Sequence, residues 1–160
     1  MSDYQLDRKW SDRFVPHIKK IVAEFLFAEC DEEDRIRNSD LIVLRLKSVR
    51  IACRVRRYKY LAKYGSQFTI RSERTSGTET ELSKLLQGWG DYFFYGFSDL
   101  EETGFARWFF ADLEVFRRWY ARPNATIVTQ KPNADNRTFF SVFNLSNMPT
   151  DFIVGDFGFD

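Results

Sequence analysis

The chain has 160 residues, its 24 basic side chains nearly balance 23 acidic ones, and 18% of its residues are aromatic. This length predicts one globular domain, residues 1–148, with a core rich in large rings and a short tail after it. No apolar run approaches the roughly 18 residues of a membrane span, the first ten residues are polar, and two cysteines with one histidine argue against a zinc site. We therefore expect a cytoplasmic protein with no membrane partner and no cofactor.

A first helix is predicted from Ser11 to Cys30, because apolar residues recur there at helical spacing. Ser11 or Asp12 can cap this helix, and Pro16 lies early enough to be tolerated. Glu24 lies on a polar ridge beside the apolar stripe.

Three strands are predicted next, at 40–47, 49–57 and 67–73. The first is apolar on both parities, which is typical of a strand covered on both faces. The second alternates: Cys53 belongs to its apolar side, which we expect in the core, and the other side carries Arg50, Arg54 and Arg56. The third alternates too, and its polar side carries Gln67, Thr69, Arg71 and Glu73. If these strands pair, their polar sides merge into one basic face.

The segment 58–66 is predicted to contain a short helical turn, and a second helix follows it. Thr78 is expected to cap this helix while Glu81 reaches back in a capping box. Trp89 falls on the apolar stripe of the same helix, so we expect it in the core rather than at a stacking site.

The rest of the chain is predicted to begin with two buried strands, at 92–97 and 105–111, and a helix at 113–122 that Asp112 caps. A short strand at 126–129 and a last strand at 138–145 are predicted to follow. The fold class is therefore α/β (α+β), a central mixed sheet flanked by helices in the order α-β-β-β-α-β-β-α-β. Residues 149–160 form an acidic C-terminal tail, which is expected to expose Phe152, Phe157 and Phe159.

The segment 45–74 carries ten basic residues and one acid, a net charge of +9, while the remainder of the chain carries about −8. Crowding like charges does not favour stability, so this segment indicates a polyanion partner, DNA more than RNA. Interleaved tyrosines could stack on unpaired bases while the cations hold phosphates. The candidate nucleic-acid-binding residues are Arg54, Arg56, Arg71, Arg50, Arg57, Lys59, Lys63, Thr69 and Gln67. The alternative is a solvated basic surface that acids elsewhere in the fold balance.

The order of elements, with Asp40 opening the first strand, resembles the restriction-endonuclease-like PD-(D/E)xK nuclease superfamily. The resemblance implies that Asp40 and the helix acid Glu24 would hold Mg²⁺ against a scissile phosphate. At the (D/E)xK position this sequence has Arg54-Val55-Arg56, and an arginine ligates no metal. Glu73 could substitute as a migrated acid. An arginine beside Asp40 would pair with it, so we expect no ordered metal ion there.

The segments 51–57, 67–74, 80–86 and 88–97 also resemble uncharacterised proteins of phages and mobile elements. Three hypotheses follow. The first is a non-catalytic module that binds nucleic acid or a protein partner on a nuclease-like scaffold, for example a phage-encoded accessory or counter-defence protein. The second is a divergent metal-dependent nuclease that uses Asp40, Glu24 and Glu73. The third is a structural protein with a basic oligomer interface. The arginine triplet favours the first, and the oligomeric state stays open.

Overall fold

The structure is a computed structural model that describes residues 3–25, 49–125, 127, 129–132 and 138–159. The strand predicted at 40–47 and its Asp40 lie outside the described residues. Within them the chain is a mixed α/β structure with two sheets and several helices. No helix of the described part is long and apolar enough to cross a membrane.

The helices are α1 (Asp3–Asp12), α2 (15–25), α3 (Leu61–Tyr64), α4 (Glu81–Leu86) and α5 (Leu113–Tyr120). The strands are β1 (Ile51–Arg56), β2 (Gln67–Arg74), β3 (Tyr92–Ser98), β4 (Phe105–Asp112), β5 (Thr129–Pro132), β6 (Thr138–Asn144) and β7 (Ile153–Phe157). Short 3₁₀ turns occur at Tyr58–Tyr60 and Leu145–Asn147. Asp112 caps α5 as predicted, because its carboxylate accepts hydrogen bonds from the first turn.

The first sheet has the strand order β1-β3-β4-β7, with β1 parallel to β3 and the other pairs antiparallel. The second sheet is antiparallel, in the order β2-β6-β5. The condition under which the polar sides would merge is therefore not met, because β1 and β2 lie in different sheets. The helical turn between them carries the chain from one sheet to the other, and β1 pairs along its whole length with β3 instead.

The first sheet lies between two apolar layers. On one face Phe94 and Phe110 pack against the buried residues Phe14, Ile18 and Val22 that lead into and line α2. On the other face Phe93, Tyr95 and Phe109 pack against the second sheet and against α4 and α5. Phe68 of β2 is fully buried at the centre of this second layer, and its ring lies within 6.3 Å of those of Phe93, Tyr95, Phe109, Phe116, Phe143 and Phe152.

Of the helix predicted from Ser11 to Cys30, the structure shows α2, while Ser11 and Asp12 end a separate helix, α1, that was not predicted. The two helices meet at Arg13 and Phe14. Pro16 explains the break, because its ring nitrogen cannot donate to the carbonyl four residues earlier and its ring crowds that turn. Pro16 therefore lies in the first turn of α2. Residues 26–30 of the predicted helix lie outside the described part.

The expectation of an exposed C-terminal tail is also corrected. Ile153–Phe157 forms β7 and pairs with β4, so this segment extends the first sheet. Phe152 is fully buried, and the ring of Phe159 lies 6.2 Å from that of Phe109. Phe157 stays 55% exposed. The free energy gained by burying these large rings explains why the segment packs on the sheet although its acidic composition suggested an exposed tail.

Truncation of Phe68 to alanine should lower the free energy of unfolding by about 3–5 kcal/mol, because it removes a ring from a fully packed aromatic cluster. The exposed Phe157→Ala is the matched control and should change it by less than about 1 kcal/mol. Urea denaturation followed by circular dichroism measures both values. Similar losses in the two variants would contradict the assignment of Phe68 to the centre of the core.

Candidate functional site

The edge of the second sheet is closed by an ion pair rather than by another strand of the described chain. One guanidinium nitrogen of Arg54 donates to the carbonyl oxygen of Thr69 at 2.9 Å, and the other lies 2.7 Å from the carboxylate of Glu81. The same carboxylate accepts from the backbone N–H of Arg71 at 3.3 Å. Arg54 and Glu81 therefore satisfy two backbone groups that β2 would otherwise leave open.

Glu81 reaches this position because it does not take part in a capping box. Thr80 caps α4, and its hydroxyl accepts a hydrogen bond from the backbone N–H of Ser83 at 3.3 Å. The prediction that Thr78 caps this helix with Glu81 reaching back is wrong. Glu81 is the first helical residue, and its side chain extends over the edge of β2 towards Arg54.

Three arginines on one side of β1 each lie over an aromatic ring. The distances from guanidinium carbon to ring centroid are 5.5 Å for Arg50 over Trp89, 5.3 Å for Arg54 over Phe140 and 4.9 Å for Arg56 over Tyr60. These residues share the side of β1 that faces the second sheet, whereas the alternate residues of β1 pack towards α2. The contacts are within the range of cation–π attraction.

Beyond the end of β1, exposed lysines and the half-buried Arg56 surround two tyrosines, which are half-buried and pack with one side against the core. We define the cationic aromatic surface as Arg56, Lys59, Tyr60, Lys63, Tyr64 and Lys131. The two tyrosine rings lie 6.4 Å apart, and the three lysine nitrogens lie 5.2–5.6 Å from one ring or the other. All three lysines are exposed.

No neighbouring acid of the described chain neutralises the charges of this surface. None of its four cations lies within 4.0 Å of a carboxylate of the residues that the structure describes. Arg56 instead donates to the hydroxyl of Thr69 at 3.1 Å. A patch of four cations beside two tyrosines carries a net positive potential that can attract an anionic ligand.

Lys131 was not among the residues that the sequence predicted for binding. It lies on β5, which occupies 129–132 rather than the predicted 126–129, and β5 reaches the surface through its pairing with β6. Phe140 was missed for the same reason, since its place opposite Arg71 and Lys131 depends on the register of the second sheet. A strand 60 residues away cannot be placed from local pattern alone.

Trp89 was predicted in the core, and this is wrong, because its side chain is 57% exposed. Gly88 and Gly90 on either side have positive φ angles of 91° and 87°, which glycine adopts without strain. The turn that they form points the indole outwards and leaves Arg50 over its ring. Cys53 was also expected in the core, but its side chain is exposed.

Arg57 points to the other side of β1 and belongs to a separate cluster. It lies 3.1 Å from the carboxylate of Glu102 and over the ring of Trp10 at 4.2 Å. Arg13 pairs with the same carboxylate. The indole of Trp10 and then the guanidinium groups of Arg13 and Arg57 hold the pKa of Glu102 below its usual range. This cluster ties α1 to the first sheet.

The remaining predicted binding residues lie on β2. Thr69 directs its hydroxyl towards Arg54 at 3.2 Å and Arg56 at 3.1 Å. Arg71 is half-buried, with its guanidinium 5.7 Å from the centre of the Phe140 ring. Gln67 lies at the start of the strand and is half-buried.

Glu24 and Glu73, the two acids predicted for catalysis that the structure describes, are not brought together. Glu24 is exposed on α2, on one side of the first sheet, and Glu73 is exposed on β2 in the second sheet, on the other side. Asp40 lies outside the described residues. Across 3–25, 49–125 and the other described positions, no three His, Cys, Asp or Glu side chains are grouped so that they could hold a metal ion.

Removal of the Glu81 carboxylate should destabilise the protein, because it leaves the guanidinium of Arg54 and the N–H of Arg71 without this acceptor. We expect Glu81→Ala to lower the free energy of unfolding by about 2 kcal/mol. For a chain of this size the melting temperature should then fall by about 4–8 °C in differential scanning fluorimetry. Glu79→Ala, the matched control at an exposed position, should leave it unchanged within about 1 °C. Equal losses in both variants would contradict the edge-closing role.

A scan against protein-family models, a search of curated proteins and a search of solved structures each find no match to this chain. The candidate site in the described chain consists of the cationic aromatic surface, the ion pair at the edge of β2, and the exposed Trp89 at the opposite end of β1.

Proposed function

We propose that this chain is a non-catalytic nucleic-acid-binding module, and that the cationic aromatic surface is its binding site. The observation that carries the proposal is that Lys59, Lys63 and Lys131 lie over Tyr60 and Tyr64 with no carboxylate partner among the described residues. Cations hold phosphates, and tyrosine faces receive bases. DNA is the proposed ligand ahead of RNA.

Within this proposal the arginines of β1 have different roles. Arg54 is bound to Glu81 at 2.7 Å and its side chain is 17% exposed, so its charge is largely neutralised before any ligand arrives. We assign Arg54 to the structure of the site, where it holds β2 beside β1. Arg56 stands at the margin of the cationic aromatic surface over Tyr60 and contacts phosphate directly.

The nuclease-like scaffold is part of the proposal and rests on the order of elements, in which α2, β1, β2, α4 and β3 occur in sequence with the short α3 between β1 and β2. The placement of β1 and β2 in different sheets weighs against it. A role without catalysis is supported by Glu24 and Glu73 lying on opposite sides of the first sheet and by Arg54 standing where the motif would have an acid. A metal site needs two or more oxygen ligands that converge on one ion.

Purified protein should leave plasmid and single-stranded DNA uncut in the presence of Mg²⁺ or Mn²⁺. Gel electrophoresis over several hours measures this. Cleavage that Asp40→Asn abolishes and Lys59→Gln retains would contradict the non-catalytic assignment and favour the divergent nuclease.

Binding to a fluorescently labelled oligonucleotide should weaken with salt, because cations that neutralise phosphates release counterions. Four cations predict a slope of about −3 to −4 in a plot of log K against log salt concentration. Lys59→Gln with Lys63→Gln should reduce the magnitude of that slope by about 1.5 and weaken binding at least tenfold at low salt. Fluorescence anisotropy titrations at four salt concentrations provide the values.

The matched control is Lys19→Gln with Lys20→Gln, which makes the same charge change at two exposed positions of α2, on the far side of the first sheet. It should leave the slope unchanged. A wild-type protein that binds no DNA or RNA at 20 mM salt, or a control that weakens binding as much as the test variant, would overturn the proposed function.

A further inference from the structure

We infer that the ligand is single-stranded nucleic acid that lies along β1. Its bases stack on Tyr60 and Tyr64 at one end of β1 and on Trp89 at the other end. This inference rests on the proposed function and specifies its ligand. It adds a second contact, the exposed Trp89 with Arg50, which lies outside the cationic aromatic surface.

Trp89 is held in place although it is not buried. The backbone N–H of Trp89 donates to the carbonyl of Lys84 at 3.0 Å, which fixes the turn to the end of α4. The N–H of Asp91 donates to the carbonyl of Arg50, and the carboxylate of Asp91 accepts from the N–H of Arg50, both at 2.7 Å. These bonds fasten the same turn to the start of β1.

The indole of Trp89 is 57% exposed although hydrogen bonds fix the turn that carries it. It therefore contributes much less to the stability of the fold than a buried indole would. Arg50 lies over the ring at 5.5 Å and places a cation beside it. A fixed aromatic face with an adjacent cation is the arrangement that stacks a base and holds its phosphate. Tyr60 with Arg56 repeats this arrangement at the other end of β1.

The distance between the two ends fits a short single strand. Arg50 and Arg56 are six residues apart along β1, which is about 20 Å at the usual rise of a strand. At about 3.4 Å per phosphate this length holds roughly six nucleotides, and fewer if the strand is extended. Sites in single-strand-binding grooves cover about 4–16 nucleotides, so the span is adequate.

The aromatic residues of the proposed site favour single-stranded nucleic acid over a duplex. Phosphates of either form could contact the lysines, but the faces of paired bases are covered by their neighbours in the stack. Trp89, Tyr60 and Tyr64 can receive bases only where those bases are unpaired. Removal of Trp89 should therefore affect long single strands and spare ligands too short to reach from the tyrosines.

The experiment measures the affinity of the full chain for dT4 and dT12, and for a 12-base-pair duplex, by fluorescence anisotropy at low salt. Wild-type protein should bind dT12 at least tenfold more tightly than the duplex. Trp89→Ala should weaken dT12 binding about tenfold and change dT4 binding by less than about threefold, since dT4 can occupy the tyrosine end alone. Trp89→Phe, which keeps a stacking face, should retain most of the dT12 affinity.

Phe157→Ala is the matched control, because it removes another exposed ring at the opposite edge of the first sheet. Melting temperatures of all variants confirm that they are folded. If Trp89→Ala binds dT12 as wild type does while the Lys59 and Lys63 double variant is weakened, the inference is overturned and the proposed function stands. Equal affinity for duplex and dT12 also overturns the inference. Absence of binding to every oligonucleotide, including a U12 RNA, overturns both.

Discussion

In the described part of the chain the second sheet ends at β2, whose backbone carbonyl and N–H groups on the side of β1 have no strand to pair with. Arg54 and Glu81 supply partners for them: the guanidinium binds the carbonyl of Thr69, and the carboxylate binds the N–H of Arg71. Because the two side chains also pair with each other at 2.7 Å, each is neutralised by the contact that satisfies the strand. This ion pair joins β1, β2 and α4, three elements that share no backbone hydrogen-bond ladder in the described chain.

Closing the edge in this way distinguishes the basic residues next to β2 from those beyond the end of β1, while Arg57 pairs with Glu102 in a separate cluster. Those next to β2, such as Arg54, become part of the structure. Those beyond the end of β1, such as Lys59 and Lys63, stay exposed beside tyrosine rings and keep their charge. The net charge of +9 over residues 45–74 is therefore larger than the unpaired positive charge at the cationic aromatic surface. Lys131 adds a cation to this surface from outside that segment. The position of each side chain decides its role more than the local sum of charges.

Much of the fold follows from local pattern. The alternation of 49–57, the apolar run of 92–97 and the capping residue Asp112 each predict an element that the structure contains. The pairing of strands does not follow, because alternation shows which faces are apolar and not which strand is the neighbour. Trp89 shows a similar limit, since helical spacing placed it in the core while the positive φ angles of its flanking glycines turn it outwards.

Binding of nucleic acid to the cationic aromatic surface can be observed through the amide chemical shifts of ¹⁵N-labelled protein titrated with dT12. We expect the largest changes at residues 56–64 and at Lys131, further changes at Trp89, and none at Lys19 and Lys20 on the far side of the first sheet. Changes confined to α2, or spread evenly over the molecule without a maximum at 56–64, would contradict binding at this surface.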